Sequence, residues 1–190
     1  MGERWNPLVL ADPGEVLTSL LVSRLREKTI VVGTSRGLKL SLDGGQTWRR
    51  LSIDGHAYRV QALREGGAST GGIYVGTSLG LFELRLRGEE VAWVRCGNGL
   101  PPVNVSTIAV APNGEVIVGD RRYGGLYQSW GGRGRWVRID AGLPHPRISS
   151  LLSGRLSSGW LLVGLLNGGS FIGQPVRRPV ASSRGNRVKD

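Results

Sequence analysis

Tryptophan recurs along this chain at Trp5, Trp48, Trp93 and Trp136, at intervals of 43, 45 and 43 residues. A fixed period in the forties means copies of one supersecondary unit, each too small to bury its apolar face alone. Twelve residues after each tryptophan stands an apolar residue, at Leu17, Val60, Val105 and Ile148, opening the segments LTSLL, VQALR, VSTIA and ISSLL. A second segment in each unit reaches a glycine, at Gly33, Gly76, Gly119 and Gly164. A third begins at Gly37, Gly80, Gly124 and Gly168, and a fourth contains the tryptophan.

Short runs rich in Val, Ile, Leu and aromatic residues, broken by Gly, Asn and Pro, read as strands. Four strands in about 43 residues is the size of a propeller blade. The one helix-like stretch, Pro13 to Lys28, falls in register with the strand segments of the other units, and register outweighs local propensity. Glycine, 31 of 190 residues, suits a chain that turns often. The expected fold is therefore all-β: a β-propeller with blades at 17–59, 60–104, 105–147 and 148–173. The last unit lacks a fourth strand, whereas Trp5 marks a fourth strand at 4–10 with no blade in front of it. That strand is expected to complete the last blade, either in its own chain as a four-bladed ring or in a second copy as an eight-bladed dimer. A third reading makes the chain a fragment of a longer propeller. Residues 174–190, rich in Arg, Pro and Ser, read as a basic disordered tail.

Ser41-Leu42-Asp43-Gly44-Gly45-Gln46-Thr47-Trp48 resembles the Asp-box, S-x-D-x-G-x-T-W, of the BNR repeat family. In such a turn the aspartate accepts bonds from the amides that follow it, and the tryptophan folds back onto the core. The structural set is Ser41, Asp43, Gly45, Thr47 and Trp48. Unit three keeps Ser129, Gly131, Gly132, Gly134 and Trp136 but lacks the aspartate; unit two keeps only Trp93. BNR propellers include sialidases, sortilin-type receptors and photosystem II assembly factors, so the resemblance implies a fold and leaves the activity open.

The catalytic residues of a sialidase are not matched: its Arg-Ile-Pro is absent, and no repeated carboxylate pair suits glycoside hydrolysis. The two histidines, His56 and His145, and the single Cys96 leave no metal or disulfide framework within one chain. No catalytic residue, cofactor or metal is therefore assigned. No signal segment and no run of 18 apolar residues is seen, so a cytoplasmic protein without a membrane span is the expectation.

A formal charge of +11, with 25 basic and 14 acidic residues, makes nucleic acid a candidate partner through the Arg-rich tail. A protein partner or a homodimer is the leading expectation. In a propeller the turns between second and third strands share a face with the connections between blades. That face gathers Arg36, His56, Tyr58, Asn104, Asp120, Arg121, Arg122, Tyr123, His145 and Arg147, the candidate binding residues. The expected function is a non-enzymatic binding or scaffolding propeller that recognises a protein or a small ligand on this loop face. The alternatives are a degenerate sialidase-like hydrolase and a polyanion-binding protein.

Overall fold

The computed structural model describes residue 8 and residues 10–53, 55–67, 71–111, 113–153 and 160–174. Among these residues there are fifteen strands and no helix. Blade one comprises β1 (Leu17–Val22), β2 (Ile30–Thr34), β3 (Gly37–Ser41) and β4 (Arg49–Leu51). Blade two comprises β5 (Val60–Glu65), β6 (Ile73–Thr77), β7 (Gly80–Arg87) and β8 (Glu90–Cys96). Blade three comprises β9 (Val105–Val110), β10 (Glu115–Asp120), β11 (Leu126–Trp130) and β12 (Val137–Arg138). Blade four comprises β13 (Ile148–Ser153), β14 (Leu161–Leu165) and β15 (Ser170–Gly173). Each blade is an antiparallel meander in chain order, three of four strands and the last of three. The four sheets are the four blades of the all-β propeller that the period predicts, and the helix-like stretch supplies β1. The expected closing strand at 4–10, apart from Leu8 and Leu10, and the tail beyond Gln174 lie outside the described residues.

Blades pack on one another through their faces. One apolar cluster joins blades one and two around Val31, Leu38, Leu40, Val60, Val75 and Phe82. A second joins blades two and three around Tyr74, Leu81, Val105, Ile108, Val118 and Trp136. A third joins blades three and four around Ala109, Ile117, Ile148, Leu151 and Val163. The recurring glycine explains how close the sheets come. A Cβ on Gly33 would lie 2.6 Å from Val60 Cγ1, one on Gly76 2.7 Å from Val105 Cγ1, and one on Gly119 2.6 Å from Ile148 Cβ. The glycine is thus a socket for the first apolar residue of the next blade. A bulge at the start of β5, β9 and β13 breaks the pairing register beside Val60, Val105 and Ile148, which re-aims that side chain across the junction. Fully burying such a valine or isoleucine contributes about 1.5–3 kcal/mol.

The intact box folds as its residue types dictate. Asp43 Oδ1 accepts from the amides of Gln46 at 3.0 Å and Thr47 at 2.9 Å, and Oδ2 accepts from the Thr47 hydroxyl at 2.6 Å. Ser41 donates its hydroxyl to Asp43 at 2.7 Å, and Trp48 Nε1 donates to the Gly45 carbonyl at 3.0 Å. In blade three the aspartate is gone, yet Trp136 remains buried in the core between blades. The packing role of the repeat outlasts its turn chemistry.

Candidate functional site

The face opposite the Asp-box turn is built by main-chain bonds that recur from blade to blade. Ser35 N donates to Val16 O at 2.8 Å, Ser78 N to Arg59 O at 3.2 Å, and Leu166 N to Arg147 O at 2.8 Å. Each bond ties a turn between second and third strands to the segment entering the same blade. Gly125 N donates to Pro146 O at 2.7 Å, which ties the blade-three loop to the segment leading into blade four. All ten candidate residues stand on these turns and connecting segments, so they share one side of the molecule.

Within that face the structure makes four groupings. His56 stacks on Tyr58 with ring centroids 5.3 Å apart, and Tyr58 stacks on Phe82 of blade two at 5.9 Å. Arg122 lies over the Tyr123 ring at 5.0 Å, and both are exposed, Tyr123 at 69%. Arg147 Nε donates to the Arg121 carbonyl at 3.1 Å, which joins the blade-three loop to blade four. Asn104 Oδ1 accepts from Gln61 Nε2 at 2.6 Å across blades two and three. Arg36 stands apart on blade one, near Gly14. His145 is exposed, and its carbonyl accepts from Arg147 N at 2.8 Å.

Asp120 has a different role from its neighbours. It is buried, and its Oδ1 accepts from the amides of Arg122 at 2.7 Å and Tyr123 at 3.1 Å. This is an aspartate turn, so Asp120 positions the cation and ring that follow it and does not itself face outward. The loop is also longer than its counterparts. Five positions separate the paired Gly33 and Leu38, and seven separate the paired Gly119 and Leu126. An enlarged turn, pinned at its base and tied to the next blade, holds an arginine and a tyrosine out into solvent.

Sequence reasoning missed Gln61, the partner of Asn104, because an exposed-looking glutamine in a strand carries no distinguishing pattern. It also missed a buried charge network outside this face. Glu83 is fully buried between blades two and three, where Arg133 Nε donates to it at 3.1 Å and Arg85 lies 3.4 Å away. Burial pushes the Glu83 carboxyl up, against the pull of Arg85. Burial also pushes the Cys96 thiol up to about 12, which leaves it unreactive near neutral pH. Among the described residues no three His, Cys, Asp or Glu side chains gather as a metal site, and no helix is long and apolar enough to cross a membrane.

No family model matches the chain, and no curated protein matches it. Solved structures do. An ancestral GH74 enzyme superposes with a TM-score of 0.66 at 17% identity, covering 90% of this chain and 24% of its own. The Cps50 (Swd1) β-propeller domain of Myceliophteria thermophila gives 0.66 at 13% identity, covering 85% and 55%. YCF48 bound to D1 peptide gives 0.60 at 17% identity, covering 90% and 52%. At such identities the likeness shows the propeller fold alone. The chain spans about a quarter of the length of the first and about half of the other two.

Proposed function

We propose that this protein is a non-enzymatic propeller that binds a protein segment on its loop face, with the Arg122–Tyr123 pair as anchor. The observation that carries this reading is the enlarged blade-three loop. Asp120 spends its buried carboxylate on fixing the loop, and the loop presents a large ring under a guanidinium to solvent. Aromatic and arginine side chains on a preorganised rim are the residue types that dominate recognition surfaces. Exposed Arg36, Arg59, Arg121 and Arg147 on the same face favour a segment carrying carboxylates. A propeller neighbour solved with a peptide, YCF48, supports a peptide as the class of ligand.

A random peptide library panned on the immobilised chain tests this. The expected result is enrichment of acidic sequences that bind in fluorescence anisotropy and weaken roughly tenfold or more when Tyr123 or Arg122 becomes alanine. Failure to enrich any sequence, or binding that ignores both substitutions, contradicts the reading. Enriched peptides displaced by single-stranded RNA would move it towards the polyanion alternative, whose affinity falls steeply with salt.

A further inference from the structure

The three interior junctions share one design, and the two ends of the array carry its unmatched halves. Val60, Val105 and Ile148 each seat against the glycine of the preceding blade and are fully buried. Their counterpart in blade one, Leu17, is 45% exposed. At the fourth glycine, Gly164, the three atoms nearest to an added Cβ belong to Ser149 and Ser150 of its own sheet, and none to an apolar residue of another blade. Among the described residues one knob has no socket, and one socket has no knob.

The rows beside the sockets repeat the pattern. In blade one Leu21, Val31 and Leu40 pair across the sheet and face blade two, with Val31 and Leu40 buried. The matching row of blade four, Leu152, Leu162 and Ile172, is 58%, 43% and 67% exposed. On the other side, the row Leu63, Val75 and Phe82 of blade two packs against blade one. Its counterpart on blade one is Leu20, Val32 and Lys39; Val32 and Lys39 are buried, whereas Leu20 is 67% exposed and Val22 beside it 61% exposed. Among the described residues no apolar cluster joins blade four to blade one.

Blade one is nevertheless furnished as a blade that follows another. Tyr58, two residues before Val60, covers Phe82 in blade two. Glu15, two residues before Leu17, covers Lys39 at the matching place, with Glu15 Oε2 3.2 Å from Lys39 Nζ. The segment entering blade one is laid down like the connection between blades one and two. At the opposite end, β15 has no fourth strand among the described residues, and a groove of about 250 Å³ lined by Phe171, Ile172, Gly173 and Leu143 borders it.

We infer that a second copy of this chain closes the array into an eight-bladed ring with two-fold symmetry. Blade four of each copy packs its outer face on blade one of the other. The two outer faces are halves of the junction already made three times inside the chain, so any second copy carries the missing half of each. Two such junctions form together and leave no half unmatched, which separates a closed ring from an open filament.

Solution mass by light scattering at high micromolar concentration, with two surface variants, tests the inference. The chain is expected at about 41 kDa, twice its 20.4 kDa. Leu17→Asp and Leu162→Arg change side chains that are exposed in the single chain, so each variant is expected to fold and to run as a monomer. Mixed, they are expected to return to the dimer mass, because one junction then pairs an unaltered blade four with an unaltered blade one. A monomeric parent chain, a ladder of larger species, dimers that persist in either variant alone, or a mixture that stays monomeric overturns the inference. A monomeric parent would instead point to closure within one chain or to further blades on a longer one.

Discussion

Asp43 shows how much one side chain fixes in this repeat. The hydroxyl and amide of Thr47 and the hydroxyl of Ser41 hold its carboxyl well below the usual carboxylate range. Glu15 is also held low: burial raises it, but the bonds from Thr34 and Lys39 outweigh that. A group with a depressed folded pKa contributes stability above its unfolded value, and the contribution is lost as pH falls through the folded value. The melting temperature of the protein is therefore expected to hold between pH 7 and 5 and to drop below about pH 4. Asp43→Asn is expected to melt lower at pH 7 and to show a shallower acid drop, read by circular dichroism; an unchanged acid profile would contradict the assignment. The Asp-box was legible residue by residue because turn chemistry is local. Glu83 was not: alternation along β7 places it on a face, but only the packing of blade three shows that the face is covered.

At the scale of the strand and sheet, the repeat register carried most of the information. The spacing from Trp48 to Val60 and from Gly33 to Gly76 located the strands of each blade, and it outweighed the helical composition around β1. The register also explains why glycine recurs, since the socket leaves no room for a Cβ. Gly76→Ala would place a methyl 2.7 Å from the Val105 carbonyl oxygen, which is main chain and cannot turn aside. Its expected cost is about 1–3 kcal/mol by chemical denaturation. Gly173→Ala, where a Cβ meets nothing within 4 Å, is expected to change stability by less than about 0.5 kcal/mol. Equal effects at the two sites would contradict the socket reading. The longer blade-three loop was only half legible. Its unusual residues stood out, but the turn made by Asp120 converts one expected contact residue into a positioning one.

Across the whole molecule, periodicity counts the blades but does not say what each end packs against. A repeat read from sequence is the same whether its last junction forms within one chain or between two. The exposures of Leu17, Leu162 and Ile172 supply what the period lacks, because they show which half-junctions remain open. The counterparts of Leu17 and Leu162 at the first interior junction, Val60 and Val31, pack in one apolar cluster, so cysteines at these two exposed positions would lie side by side across a closed junction. Cys96 is buried and does not compete. The most direct measurement is therefore non-reducing electrophoresis of the Leu17→Cys/Leu162→Cys double variant after mild oxidation. A covalent species of about 41 kDa that returns to 20.4 kDa on reduction is expected. Quantitative loss of free thiol with the chain still at 20.4 kDa would place the junction within a single chain and contradict the eight-bladed ring.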